Sequence, residues 1–182
     1  MGLFGEKLYN PAYAVTGDEV AVFTTSRGTI RVRLDGAGAP IHVGNFCELA
    51  ESGFYDGTKF HRYVPGFVIQ GGDPNTRDMT PADVAAGRPG PKGRPGTGGP
   101  GYRIREEFSS NPRNSHVDGA LAMARSQDPN SAGSQFYFCL GSQHGLDSGY
   151  TVFGNTLEGF DVIAALRAGD VLESVTIEHT IR

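Results

Sequence analysis

A chain of 182 residues, 38% of them hydrophobic and 10% aromatic, suits one compact domain with a sizeable core and leaves little room for a second. Its formal net charge of -4, with basic residues scattered except for Arg88, Lys92 and Arg94, repels a phosphate backbone and argues against a nucleic-acid partner. Short apolar runs broken by 27 glycines and 11 prolines exclude a helical bundle and lean towards an all-β barrel or sandwich with few helices.

The first segment, Met1 to Gly17, scatters Glu6, Lys7, Asn10 and Pro11 among its apolar residues and lacks the basic-then-apolar layout of a signal peptide. Glu6 stands where N-myristoylation wants Ser or Thr, and no apolar run approaches the length of a membrane span. An N-terminal extension over 1–17, one domain over 18–182 and a soluble, cytoplasmic protein without a membrane partner are expected. Glu19 to Thr25 and Thr29 to Leu34, rich in Val, Ile, Phe and Thr around Ser26-Arg27-Gly28, predict a β-hairpin. Pro40 to Ser52 predicts an amphipathic helix, with Ile41, Val43, Phe46, Leu49 and Ala50 at mostly helical spacing, Pro40 in the first turn and Gly53 as the stop.

Lys59 to Gln70 gives two short strands around Pro65-Gly66, and Gly119 to Ala124 and Gln135 to Leu140 give two more. After Tyr150 to Phe153, the stretch Glu158 to Ala168 places Phe160, Ile163, Ala164 and Leu166 on one helical face, and Val171 to Ile181 alternates as a closing strand. The sum is a small antiparallel barrel carrying two helices. The stretch 74–101 differs in kind: glycine falls at 87, 90, 93, 96 and 99 with prolines between, which reads as an extended, mobile surface loop, since a collagen triple helix needs far longer repeats. Its Gly-Thr-Gly-Gly-Pro-Gly end lacks the Gly-Lys-Ser/Thr of a phosphate-binding loop.

His42, His61, His116, His144 and His179 show neither His-Glu-x-x-His spacing nor a Cys-x-x-Cys partner, so no metal site is expected and each reads as a surface or structural histidine. Cys47 and Cys139 sit in apolar segments and read as buried free thiols. No serine lies in a Gly-x-Ser-x-Gly elbow, which leaves a hydrolase without support.

One series of segments stands out. Phe60-His61-Arg62-Tyr63-Val64-Pro65-Gly66-Phe67-Val68-Ile69-Gln70-Gly71-Gly72-Asp73 is followed by Ala122-Met123-Ala124-Arg125, Gly133-Ser134-Gln135-Phe136-Tyr137, Leu146-Asp147 and Tyr150-Thr151-Val152-Phe153-Gly154. In this order and spacing they resemble the cyclophilin family, over most of the chain from about Asp18 onwards. The resemblance implies a mainly β fold, a closed eight-stranded antiparallel β-barrel capped by two α-helices, and a peptidyl-prolyl cis-trans isomerase that acts on proline-containing polypeptides, assists folding and needs no cofactor. The alternative is a module that holds proline segments or acts as a chaperone, with incidental turnover.

The chemistry can be stated without the family. Rotation about an X-Pro bond faces a barrier of about 20 kcal/mol because the nitrogen lone pair is delocalised into the carbonyl. A catalyst should aim a fixed donor at the pyramidal nitrogen of the twisted amide and grip the proline ring in an apolar pocket. The resemblance assigns the donor to Arg62, whose planar fork a lysine cannot reproduce. It aligns Phe67, Val68, Tyr137 and Leu146 with the proline pocket, has Gln70 and Gln135 orienting Arg62 and the substrate backbone, and places His61, Ala124, Arg125 and Tyr150 among the substrate contacts. Strand alternation puts Gln135 and Tyr137 on one face and Phe136 and Phe138 on the other.

The sequence departs from the family's best-known members in four places. Gly145 fills the position of a tryptophan that helps hold cyclosporin, Tyr150 replaces a histidine, Arg125 an asparagine, and Tyr137 a phenylalanine, which adds a hydroxyl in need of a partner. Weak cyclosporin binding is therefore expected, and a monomer is the default for the assembly.

Overall fold

The structure, a computed structural model, describes residues 7–180, so Met1 to Glu6 of the expected extension and Ile181, the last residue of the expected closing strand, lie outside the described residues. Strands β1 (Glu19–Thr25) and β2 (Gly28–Leu34) form the expected hairpin, tightened where the Thr25 hydroxyl donates to the Gly28 carbonyl at 2.7 Å and accepts from the Arg27 N–H at 3.0 Å. Next come α1 (Pro40–Glu51), β3 (Thr58–Lys59), β4 (Arg62–Val64) and β5 (Val68–Gly71). A short helix α2 (Pro81–Ala85) precedes β6 (Ala120–Met123), β7 (Phe136–Cys139), β8 (Val152–Glu158), α3 (Phe160–Ala165) and β9 (Val171–His179).

The strands form one antiparallel sheet in the order β3-β9-β1-β2-β8-β6-β7-β5-β4. Its two edge strands, β3 and β4, are consecutive in the chain. Phe60 N–H donates to the Asp170 carbonyl at 2.9 Å on one side, and His61 N–H donates to the Gln70 carbonyl at 3.0 Å on the other. The segment 58–64 thus stitches both edges together in a sheet of nine strands accompanied by three α-helices, in place of the expected eight strands and two helices; the extra strand arises because 58–64 is interrupted at Phe60 and His61. Joining the edges leaves no row of open backbone groups there for another chain to pair with.

Inward-facing residues fill the barrel with aromatic rings. Phe23 meets Phe136 and Phe138 edge-on at centroid distances of 5.5 and 5.2 Å, and Phe46 of α1 closes over Phe23 and Phe153 at 5.7 and 5.3 Å. The first turn of α1 has no side-chain cap from Ala39; instead the buried Glu107 carboxylate accepts from the N–H groups of Ile41 and His42 at 3.1 and 2.8 Å. An acid from a distant segment thereby satisfies donors that the helix itself cannot.

Two expectations are corrected. Of the face expected for α3, Ile163 and the C-cap residue Leu166 are buried, but Phe160 and Ala164 are exposed and Val162 is buried in their place. The helix starts only after Gly159, whose φ of +100° and closeness to Thr29 O, 2.6 Å from where a Cβ would sit, fix the entry and rotate the buried face. The stretch 74–101 is folded rather than extended: a 3-10 turn over Pro74–Asp78 leads into α2, which Thr80 caps by accepting from Asp83 N–H at 3.1 Å. Residues 7–17 lie along α1, with Tyr9 N–H donating to the Arg103 carbonyl at 2.8 Å and Tyr13 N–H to Glu48 Oε2 at 2.7 Å.

Candidate active site

The outer face of β4, β5, β7, β6 and β8 carries the site. Cross-strand register sets Arg62 opposite Gln70, Gln70 opposite Tyr137, Tyr137 opposite Ala122, and Ala122 opposite Val152. Period-two alternation sends Ile69, Phe136, Phe138 and Leu121 into the barrel, while Val68, Tyr137, Cys139, Ala120, Ala122 and Val152 form a second, smaller apolar cluster outside it. Phe67, Ala124, Leu146 and Tyr150 pack on this cluster from the loops.

Above it lies a cavity of about 190 Å³ lined by the expected Arg62, Phe67, Val68, Gln70, Ala124, Arg125, Tyr137, Leu146 and Tyr150. It is apolar on its floor and has one exposed guanidinium, that of Arg62, at its edge. The turn Pro65-Gly66, with Gly66 at φ +70°, brings Phe67 back so that its N–H donates to the Val64 carbonyl at 2.9 Å and its carbonyl accepts from Leu140 N–H at 2.8 Å. A larger cleft of about 670 Å³ adjoins the cavity, shares Gln70, Ala124 and Arg125 with it, and is walled by Gln135 and the glycine run 96–101.

The polar groups are tied in a line. Gln70 Nε2 donates to Gln135 Oε1 at 3.0 Å, and Gln135 Nε2 donates to the Gly98 carbonyl at 2.8 Å. The loop end is held in turn by the buried Asp73 carboxylate, which accepts from the backbone N–H groups of Asn75 at 2.8 Å, Gly96, and Gly98 at 3.3 Å. Arg125 spends its fork on the carbonyls of Gly149 at 2.7 Å and Ser126 at 2.9 Å and lies over the Tyr150 ring at 4.6 Å. Where the tryptophan of the family's best-known members would stand, a Cβ on Gly145 meets nothing within 4 Å, so that part of the rim is open.

His61 stands apart from the cavity lining. Its ring lies against Gly96, and both imidazole nitrogens are buried outside the hydrogen-bond geometry of any described neighbour. Burial pushes its pKa down, against the opposing pull of Asp73, which keeps the ring neutral.

Sequence reasoning missed the residues that answer the Tyr137 hydroxyl. Tyr137 OH lies 2.9 Å from Nε2 of His116, a fully buried residue, whose Nδ1 lies 2.9 Å from Asp147 Oδ1. The signal was present in the demand of a hydroxyl on a buried strand for a partner, but nothing in the spacing singled out His116 among five histidines.

Comparison with known proteins gives a concordant result. Residues 20–182 match the family model described as cyclophilin type peptidyl-prolyl cis-trans isomerase. The chain is 41% identical over 159 residues to a peptidyl-prolyl cis-trans isomerase of Synechococcus elongatus, covering 86% of this chain and 94% of the relative. It is 36% identical over 178 residues to one of Helicobacter pylori, covering 97% and 93%. Among solved structures, a cyclophilin type isomerase of Cryptosporidium parvum superposes with a TM-score of 0.68 at 24% identity, covering 90% of this chain and 99% of that one. The cyclophilin AquaCyp293 of Hirschia baltica superposes with a TM-score of 0.64 at 27% identity, covering 89% and 74%. With the barrel, the cross-strand row from Arg62 to Val152 and the apolar cavity already in place, these matches establish that the chain belongs to the cyclophilin family of peptidyl-prolyl cis-trans isomerases.

Proposed function

We propose that Arg62 is the central catalytic residue and that the cavity floored by Tyr137 holds the proline ring of an X-Pro substrate. The register that puts Arg62, Gln70 and Tyr137 side by side on three neighbouring strands carries this reading, because it sets a guanidinium beside an apolar hole of about 190 Å³. With the ring gripped by Phe67, Val68, Tyr137 and Leu146, the carbonyl side of the bond is free to swing. As the amide twists, its nitrogen loses conjugation and gains a lone pair to which the guanidinium donates, a bond far stronger in the transition state than in either planar isomer. No bond is broken and no cofactor takes part.

The two glutamines serve the arginine in this reading. Gln135 is engaged at both ends, to Gly98 and to Gln70, which occupies the Gln70 amide nitrogen and leaves its carbonyl oxygen available to Arg62, its cross-strand neighbour. The adjoining cleft receives the substrate residues that precede the proline, along Ala124, Arg125 and Gln135. The substrates proposed are exposed X-Pro bonds in unfolded or flexible chains, whose slow isomerisation the protein would speed. We place it in the cytoplasm as a monomer; among the described residues no helix is long and apolar enough to cross a membrane.

The test is exchange NMR on an Ala-Pro peptide with catalytic amounts of protein. The choice of probe is supported by the Cryptosporidium parvum relative, whose structure has been solved in the presence of the dipeptide Ala-Pro. Wild type is expected to accelerate exchange, and Arg62→Ala to lose about 10²–10³ of that rate, the usual cost of removing one well-placed donor. An Arg62→Ala protein as active as the wild type would remove Arg62 from the mechanism. The open rim at Gly145 carries a second expectation: calorimetric titration with cyclosporin should give a dissociation constant well above the nanomolar range, and nanomolar binding would contradict it.

A further inference from the structure

Tyr137 carries the one hydroxyl on the pocket floor, and that hydroxyl is met from below by a residue that does not line the cavity. We propose that His116 is a positioning residue of the proline pocket, coupling Tyr137 on its floor to the turn that carries Leu146 and Tyr150 on its wall. The proposal rests on the isomerase reading given above.

The direction of the bonds follows from donor and acceptor chemistry. Asp147 Oδ1 accepts from the backbone N–H of His116 at 2.7 Å and lies 2.9 Å from its Nδ1. A carboxylate only accepts, so Nδ1 carries the hydrogen and Nε2 of the neutral ring carries the lone pair. Tyr137 O–H therefore donates to Nε2 at 2.9 Å, and the two rings lie nearly parallel, 14° apart. One imidazole thus receives from the floor and gives to the turn.

The segment around His116 holds that turn along its length. Gln143 N–H donates to the His116 carbonyl at 2.7 Å at the start of the turn, and Asn114 Nδ2 donates to the carbonyls of Asp147 at 2.6 Å and Tyr150 at 2.9 Å further on. Asn114 Oδ1 accepts from Val152 N–H at 2.8 Å where β8 begins. Tyr150, carried by this turn, meets Tyr137 edge-on at 6.1 Å. Floor and wall accordingly share one buried anchor. A proline ring feels their spacing in the planar and twisted states alike, so loss of the anchor weakens binding more than turnover.

Two replacements divide the anchor. His116→Asn places an amide where Nδ1 was, keeping the link to Asp147 and losing Tyr137, whereas His116→Gln reaches the position of Nε2, keeping Tyr137 and losing Asp147. With the Ala-Pro peptide, His116→Asn is expected to raise KM about five- to ten-fold while kcat changes less than about three-fold. In a Tyr137→Phe background the same replacement should add almost nothing, because the link it cuts is already gone, while His116→Gln should still raise KM there. Equal effects of His116→Asn in both backgrounds, or an unchanged KM in the folded single variant, overturn the proposal. If His116→Asn does not fold, Tyr137→Phe alone decides, since an unchanged KM in that protein overturns it equally. A wild type that fails to accelerate exchange would instead fail the isomerase reading itself.

Discussion

Arg62 is exposed, whereas the ring of His61 beside it lies against the loop at Gly96 with its nitrogens buried. The resemblance places His61 among the substrate contacts, but its ring nitrogens are buried outside the hydrogen-bond geometry of any described neighbour, and the ring lies off the cavity. An unpaired buried polar group costs about 1–3 kcal/mol, more than an apolar ring of the same outline. His61→Phe is therefore expected to stabilise the protein by about 1 kcal/mol, read as a higher urea midpoint with an unchanged slope. A lower midpoint, or a loss of peptide affinity, would return His61 to the substrate contacts that the resemblance implies. At this scale the sequence was informative about chemistry and poor about direction. Arg62, Phe67, Gln70 and Tyr137 could be aligned by motif, but which of their neighbours face inward depends on a barrel that closes between His61 and Phe60.

Elements with a strong period were legible, and those set by single contacts were not. The strands from β1 to β9 follow apolar alternation closely enough to place nearly every one of them, and α1 follows from Pro40 and its 3.6-residue spacing. The six-residue α3 is too short for a periodic signal, so its buried face is decided by Gly159 and by the barrel beneath it. The glycine-rich stretch misled for a related reason: its triplets suggest an extended chain, yet one carboxylate gathers its two ends. Asp73 accepts backbone N–H groups from Asn75, Gly96 and Gly98, and Gly98 anchors Gln135 in the cleft. Asp73→Ala would leave those buried donors unsatisfied, and charge-assisted bonds of this kind are individually worth about 1.5–3 kcal/mol. The variant is expected to lose about 2–3 kcal/mol of stability and to bind the Ala-Pro peptide more weakly through the loosened Gln135. Unchanged affinity in a destabilised but folded protein would show that the loop supports the fold without supporting the site.

Closing the barrel buries titratable groups whose protonation then acts on the whole molecule. Burial holds the pKa values of both His61 and His116 below their ordinary 6.5, outweighing the opposing pull of Asp73 on the first and of Asp147 on the second. On unfolding each regains its ordinary value, so below about pH 6.5 the unfolded chain binds more protons than the native one. Stability from this source is full above pH 6.5 and is lost as pH falls through it towards the lower folded values. His179 has the opposite sign: its bond to Asp18 raises its pKa, so its contribution is full below pH 6.5 and fades as pH rises through the folded value, but the pair is solvent-exposed and weak. Asp147 is set against burial by its bonds from His116 and has its pKa lowered, which places its contribution in a separate window below about pH 4. Through His61 and His116 the urea midpoint is therefore expected to fall between pH 7 and pH 5. Either His61→Phe or His116→Gln should flatten the fall, and the two together should flatten it further, since the residues occupy separate sites and their proton uptake adds. A midpoint that stays level from pH 7 to pH 5 in the wild type would mean that both rings take up protons in the native state, in which case His116 could not accept the Tyr137 hydroxyl over that range.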